Sequence, residues 1–426
     1  MERMTWQLGD PQLGLLERLG VGGMALALSA YEDFGADYGE ESPALQALEW
    51  HRTENSLTLE WPEKYGASDV LIDLYAWAFQ PNSPVESDEF GVIYIPAVHG
   101  TETLTDETAR LVEHRGICST FLQHNRTQPK TDSRQVEYHL EGDRLRINLV
   151  ELQDKFAFAK NFRDLFYTSL DQFPGIGEST ADRIIEHLGG GGGAKGARIE
   201  QLTEVRGISE SKARMISSQF KGLKQEVVSF SSFLFPGATA RHSGEKSWTG
   251  TAKQAVALFF APTVCFYVRL DWTEWAVVAP DVRNLEAFLS YRYGESPRED
   301  RSWAASPPDA GLGVLSRARK ALEKETADAM EIFGHGIEGQ QDADLRCEVF
   351  QLGDVAWNRQ TVRSNFARIR PTKVALEAYR ILASHLGNRL RLKNDGESSF
   401  VDVPSPRGPI AENLLDGRPW YRDLFS

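Results

Sequence analysis

The chain has 426 residues, of which 41% are hydrophobic, 10% aromatic and 25% charged, with a formal net charge of −14. That length exceeds one ordinary core and predicts two to four globular domains; the composition, with no run of eighteen apolar residues, excludes a membrane span and a largely disordered chain. An acidic body repels phosphate except where basic residues cluster, so any contact with nucleic acid must be local.

The expected fold class is α+β, in four segments. Residues 1–165 form a mixed N-terminal domain, in which Val92–Ile95 and Leu145–Leu149 alternate like strands. The run Leu13–Leu28 reads as an apolar helix interrupted by glycines, where another backbone packs closely. Gly20-Val21-Gly22-Gly23 lacks a preceding strand, the third glycine of a dinucleotide site and the Gly-Lys-Ser/Thr of a phosphate loop, so packing is preferred to nucleotide binding.

Residues 166–222 form a helical insert split by the flexible stretch Gly189–Gly196. Within it Leu170, Phe173, Gly175, Ile176, Ala181 and Ile184 recur 32 residues later as Leu202, Val205, Gly207, Ile208, Ala213 and Ile216, which marks a duplicated unit. The first copy, Phe173-Pro174-Gly175-Ile176-Gly177-Glu178-Ser179 through Ile185, resembles the helix-hairpin-helix family of DNA-binding elements. Glycines let such a turn adopt positive φ while Ile176 plugs the angle between helices. Free amides at the next helix's N-terminus then face outward, where the macrodipole favours a phosphate. Ala181, Ile184, Ile185 and Leu188 are expected on the buried face. The second copy has Arg206 for the proline and Ser209 for the second glycine, and offers side-chain charge from Lys212 and Arg214 instead. The nucleic-acid-binding candidates here are Gly175, Ile176, Gly177, Ser179, Arg183, Arg206, Gly207, Ile208, Ser209, Lys212 and Arg214. A helical packing module without nucleic acid is the alternative.

Residues 223–305 read as strand-rich, with Cys265–Leu270 and Trp275–Val278 paired across a turn at 271–274. Ser302–Gly313 reads as a linker. Residues 306–426 then predict a C-terminal helical bundle, from amphipathic segments at Leu315–Lys324 and Val374–Leu392. Between Val355 and Leu376 lie Arg359, Arg363, Arg368, Arg370 and Lys373 with no acid, a candidate phosphate track. A weaker basic run from His114 to Arg134 adds Arg126 and Lys130, a solvated face being equally consistent.

No catalytic constellation is visible. There is no His-Glu-x-x-His, no paired Cys-x-x-Cys, no Gly-x-Ser-x-Gly elbow and no acid-rich nuclease motif before the insert, so neither enzyme, metal nor cofactor is expected. Cys347, in a strand-like run, reads as a buried thiol. Three cysteines and an N-terminus without signal-peptide order fit the cytoplasm.

Two further stretches, Leu15–Leu26 and Cys347–Trp357, resemble the large subunit of type I CRISPR surveillance complexes (Cascade) in the MYXAN-subtype branch. The resemblance implies a non-catalytic subunit that contacts the target-adjacent motif (PAM), helps open the duplex and holds the displaced single strand while guide RNA supplies sequence specificity. Its partners would be double-stranded and displaced single-stranded DNA, guide RNA and the other complex subunits, with Arg359, Arg363, Arg368 and Arg370 beside the guide backbone. A DNA-repair or recombination factor, as a structure-specific nuclease subunit, and a protein-binding scaffold are the competing expectations.

Overall fold

The computed structural model describes residues 1–34, 42–79, 82–84, 139–141, 144–146, 162, 165–166, 170, 173, 175–188, 199–219, 223–224, 227–230, 248–271, 274–294, 303–333, 345–355, 360–387, 390–393, 400–403, 405–422 and 424. The expected strand at Val92–Ile95 and the run containing Arg126 and Lys130 lie outside them, as do Cys118 and Arg359.

Strand β1 (Glu2–Gln7) leads to helix α1 (Leu15–Phe34), a short α2 (Pro43–Gln46), the hairpin β2 (Glu49–Thr53) and β3 (Ser56–Trp61), and α3 (Ala67–Phe79). Three-residue strands β4 (Asn82–Pro84), β5 (His139–Glu141) and β6 (Arg144–Arg146) precede the insert helices α4 (Glu178–His187), α5 (Ile199–Thr203) and α6 (Glu210–Gln219). Next come β7 (Val227–Phe230), β8 (Trp248–Thr251), α7 (Ala252–Phe260), β9 (Phe266–Arg269), β10 (Glu274–Pro280) and α8 (Leu285–Gly294). The last stretch holds α9 (Pro307–Phe333), β11 (Cys347–Val355), β12 (Gln360–Ile369), α10 (Lys373–His385), β13 (Leu390–Lys393), β14 (Phe400–Val403) and α11 (Arg407–Leu415). The class is mixed α+β.

One antiparallel sheet of order β12-β11-β10-β9 organises the body. Side chains alternate across a strand, so each strand serves two faces. Tyr267, Trp275, Val277, Ala279, Phe350 and Leu352 enter one core; Phe266, Val268, Ala276, Val278, Cys347 and Val349 enter the other. Burial on both faces explains the near-continuous apolar runs at 265–268 and 275–279. The first core also takes α1, α3, α7, the β1-β3-β2 sheet and Phe162, Leu165 and Phe166, so the N-terminal and middle segments share one interior. Asp281, at the end of β10, accepts from Arg18 of α1 and from Arg283 and Arg346, tying those layers together.

The expected C-terminal bundle is corrected here. Helices α9, α10 and α11 pack on the second core, but the segment also supplies the two longest strands of the main sheet. The run from 360 to 369 pairs with β11, and the other partner of β11, β10, lies some seventy residues earlier, beyond any local pattern. The expected linker at 302–313 is instead mostly the start of α9. Proline is tolerated in a first helical turn, and Ser306 Oγ accepts the Asp309 amide there. The small residues serve contact: a Cβ on Gly311 would meet Ile369 at 2.8 Å and Val349 at 3.0 Å. Asp309 is buried, accepting from the Tyr379 hydroxyl at 2.6 Å and Arg407 Nε at 3.0 Å, which locks α9, α10 and the start of α11. Burial and the adjacent Asp309 carboxylate push the Tyr379 phenol well above its usual range.

Cys265 and Cys347 are free and buried, and desolvation pushes both thiols far above the ordinary range. Native protein at mildly alkaline pH is therefore expected to leave both unalkylated by iodoacetamide, whereas protein in urea labels them, as peptide mass mapping reads. Rapid native labelling of either would contradict this packing.

Candidate nucleic-acid interface

The insert has a core of its own. Leu170, Phe173, Ile176, Ala181, Ile184, Leu202, Val205, Ile208, Ala213 and Ile216 are buried together, the apolar members of the 32-residue repeat. Each short helix buries a narrow stripe, and neither copy alone has an interior; together they close one. Ile185 departs from expectation: it is 36% exposed, because the ten-residue α4 presents only its Ala181–Ile184–Leu188 side to the second copy.

Gly175 has φ +72° and Gly207 φ +95°, the left-handed region that a residue with Cβ rarely adopts. Gly177 differs, at φ −87° and ψ 169°, and is the residue preceding α4, where no side chain caps the helix. Within the turn the Ile176 amide reaches Phe173, and the Thr180 and Ala181 amides reach Gly177. The Gly177, Glu178 and Ser179 amides have no acceptor among the described residues, and all three residues are exposed. The second turn is closed differently: Ser209 Oγ accepts the Lys212 amide at 3.3 Å and pairs with Ser211 Oγ at 2.9 Å. This side-chain N-cap takes the Lys212 amide, whose counterpart in the first turn, the Thr180 amide, donates to the Gly177 carbonyl. The Ser209, Glu210 and Ser211 amides, like those of Gly177, Glu178 and Ser179, have no acceptor among the described residues.

The two turns brace each other. Lys212 Nζ donates to the Gly175 carbonyl at 2.8 Å, and Arg183 Nη1 donates to the Arg206 carbonyl at 3.0 Å, so each copy's cation grips the bend of the other. Arg183 is held further by Ser179 and Thr180. Among the remaining cations, Arg214 is paired with Glu210 at 2.5 Å and Arg206 is exposed. Seven acids and seven bases lie within 166–222, so the insert is locally neutral in a chain of net charge −14.

The structure therefore brings the hairpin candidates together, with Ile176 and Ile208 as buried plugs rather than contact residues. The C-terminal basic set is a separate feature. Arg363 sits in β12 opposite Leu352, and Arg370 and Lys373 are exposed near the start of α10. Arg368 pairs with Glu348 at 3.2 Å and lies over Phe366, so part of its charge is already neutralised. No helix among the described residues is long and apolar enough to cross a membrane.

Residues 5–172 match the family described as the DevT N-terminal domain. The chain is also similar to the CRISPR-associated protein Cas8a1/Csx13 of Myxococcus xanthus (strain DK1622), 30% identical over 224 residues that cover 49% of this chain and 36% of that protein. The chain thus aligns with little more than a third of that curated relative.

Proposed function

We propose that this chain is a non-catalytic, DNA-binding large subunit of the Cas8 type in a type I CRISPR surveillance complex, and that the duplicated hairpin is its grip on the DNA backbone. The family half of this reading rests on the similarity to Cas8a1/Csx13. The DNA half rests on one observation: the exposed Gly177–Ser179 stretch at the uncapped start of α4, whose amides have no acceptor among the described residues, on a braced support. A phosphate oxygen there would accept from amides that have no acceptor among the described residues, with the helix dipole and the Lys212 ammonium adding favourable field. Such contacts carry no base information, so sequence choice is left to the guide and to the target-adjacent motif. Ser179, Arg206 and Gly207 border the same bends, while Arg363, Arg370 and Lys373 are assigned to the guide backbone.

The test is titration of labelled duplex DNA with the purified full chain at two salt concentrations. Affinity is expected to fall steeply with salt. Gly177→Val, which screens the open amides, is expected to weaken duplex binding about tenfold, the worth of one charge-assisted hydrogen bond of roughly 1.5 kcal/mol. Circular dichroism should show the helices unchanged. Salt-independent binding, or an unaltered Gly177→Val, would remove the DNA reading. Purification from the native host should bring guide RNA and partner subunits with the chain; Mg²⁺-dependent cleavage of branched DNA would instead favour a nuclease.

A further inference from the structure

The two chain segments that join the insert to the body meet each other. Phe166 pairs with Leu223 in an antiparallel bridge, and the Lys224 amide donates to the Leu165 carbonyl at 2.9 Å. Beside this junction opens a cleft of about 530 Å³, built from β1 and the turn after it, from Leu223 and Lys224, and from the N-terminal end of α7. Its size falls in the range of small-ligand sites, about 300–1,000 Å³.

The walls are fixed before any ligand arrives. Trp6 Nε1 donates to the Lys253 carbonyl at 3.0 Å, and Gln254 Nε2 donates to the Gln12 carbonyl at 2.9 Å. Gln254 also closes a capping box with Thr251, and Asp10 accepts the Gln12 amide at 2.9 Å. The floor is apolar, made by Trp6, Leu13 and Leu223. Two ammonium groups remain: Lys224 and Lys253 line the cleft, and neither is ion-paired with a described residue. Lys253 lies 5.8 Å from the Trp6 ring centroid. The Gln7 and Gln12 side chains also line the cleft, and neither bonds a described residue. Among the described residues that line the cleft, Asp10 supplies the one carboxylate.

Two cations for a phosphate, primary amides and a carboxylate for the polar edge of a ring, and an apolar floor for its face match a single nucleotide better than a free anion, which Asp10 would repel, or a lipid, which has no such edge. We propose that this cleft takes one splayed nucleotide of a single strand as that strand leaves the hairpins, with Lys224 and Lys253 on its phosphate and Asp10 accepting from an exocyclic amino group. The inference rests on the reading of the insert as a DNA grip, because the bound duplex delivers the strand to the insert's foot. The carboxylate favours bases that carry an amino group, cytosine above thymine.

The test compares a blunt duplex with the same duplex bearing a short oligocytidine arm, both titrated against the full chain. The arm is expected to tighten binding, and the Lys224→Met, Lys253→Met double variant to abolish that gain while leaving the blunt duplex unchanged. The salt slope for the arm's contribution should fall by about 0.7, one single-strand phosphate contact. Asp10→Asn should erase the preference for oligocytidine over oligothymidine. An arm that adds nothing, or a gain that survives in the double variant, would overturn the proposal. Gly177→Val separates the two readings: if it leaves blunt-duplex binding intact, the hairpin grip fails. The cleft is then judged on a free 5′-phosphorylated tetracytidine, whose binding must drop in the double variant for the cleft to stand.

Discussion

Asp281→Ala is expected to lower the stability of the body by about 3–5 kcal/mol, the loss seen when one partner of a buried ionic cluster is removed. The Asp281 side chain is fully buried, and three guanidinium groups converge on it: Arg18 at 2.6 Å, Arg346 at 2.6 Å and Arg283 at 2.7 Å. Arg18 and Arg346 are only 11% and 24% exposed, so deleting the carboxylate strands two poorly hydrated cations between α1 and the entry to β11. Asp281→Asn keeps the shape and one acceptor oxygen and should fall between. Arg283, half exposed, contributes little: Arg283→Ala should cost less than about 1 kcal/mol. Tryptophan fluorescence during urea unfolding reads this in the right place, because Trp6 and Trp61 are buried in the first core and no tryptophan lies within 166–222. A chain with several cores is compared by transition midpoints rather than by a single two-state energy. An Asp281→Ala midpoint equal to wild type would show that the cluster is not a structural tie.

The sequence carries the local features of this protein and loses the distant ones. The 32-residue recurrence can be read without coordinates because both copies use the same apolar positions, and those positions close the insert's core. The strand pair at 266–269 and 274–280 is visible because its turn is short. The reciprocal bracing is not visible: Lys212 and Gly175 are 37 residues apart, and no periodic pattern links a side-chain cation to a backbone carbonyl. The basic run after Val355 shows the opposite error. A window of sequence counts Arg368 as free charge, yet the acid that meets it, Glu348, is twenty residues earlier on the neighbouring strand. The cleft at the foot of the insert draws on three separate stretches of chain, each unremarkable alone.

The glycines of α1 lead to the second large effect. Intrinsic helix propensity favours alanine over glycine by about 1 kcal/mol, so Gly20→Ala on a solvated helix would stabilise. Here α1 lies against α7 at backbone contact. A Cβ on Gly20 would stand 2.5 Å from the Ala257 carbonyl carbon and 3.2 Å from the Ala261 nitrogen, and would overlap the Ala257 carbonyl oxygen. Backbone atoms in a packed helix pair cannot turn aside, so the helices must separate. The first core then loses contact along Leu19, Met24, Val256 and Phe260, all fully buried. Gly20→Ala is therefore expected to destabilise by about 3 kcal/mol, the upper end of the overpacking range, and Gly20→Val by more. Gly22→Ala should cost less, since its Cβ would meet the Phe288 ring, which has a side-chain torsion to yield with. A Gly20→Ala protein as stable as wild type by urea midpoint would mean that α1 and α7 are not in backbone contact. Gly22→Ala the more damaging of the two would mean that the ring, rather than the α7 backbone, is the harder wall.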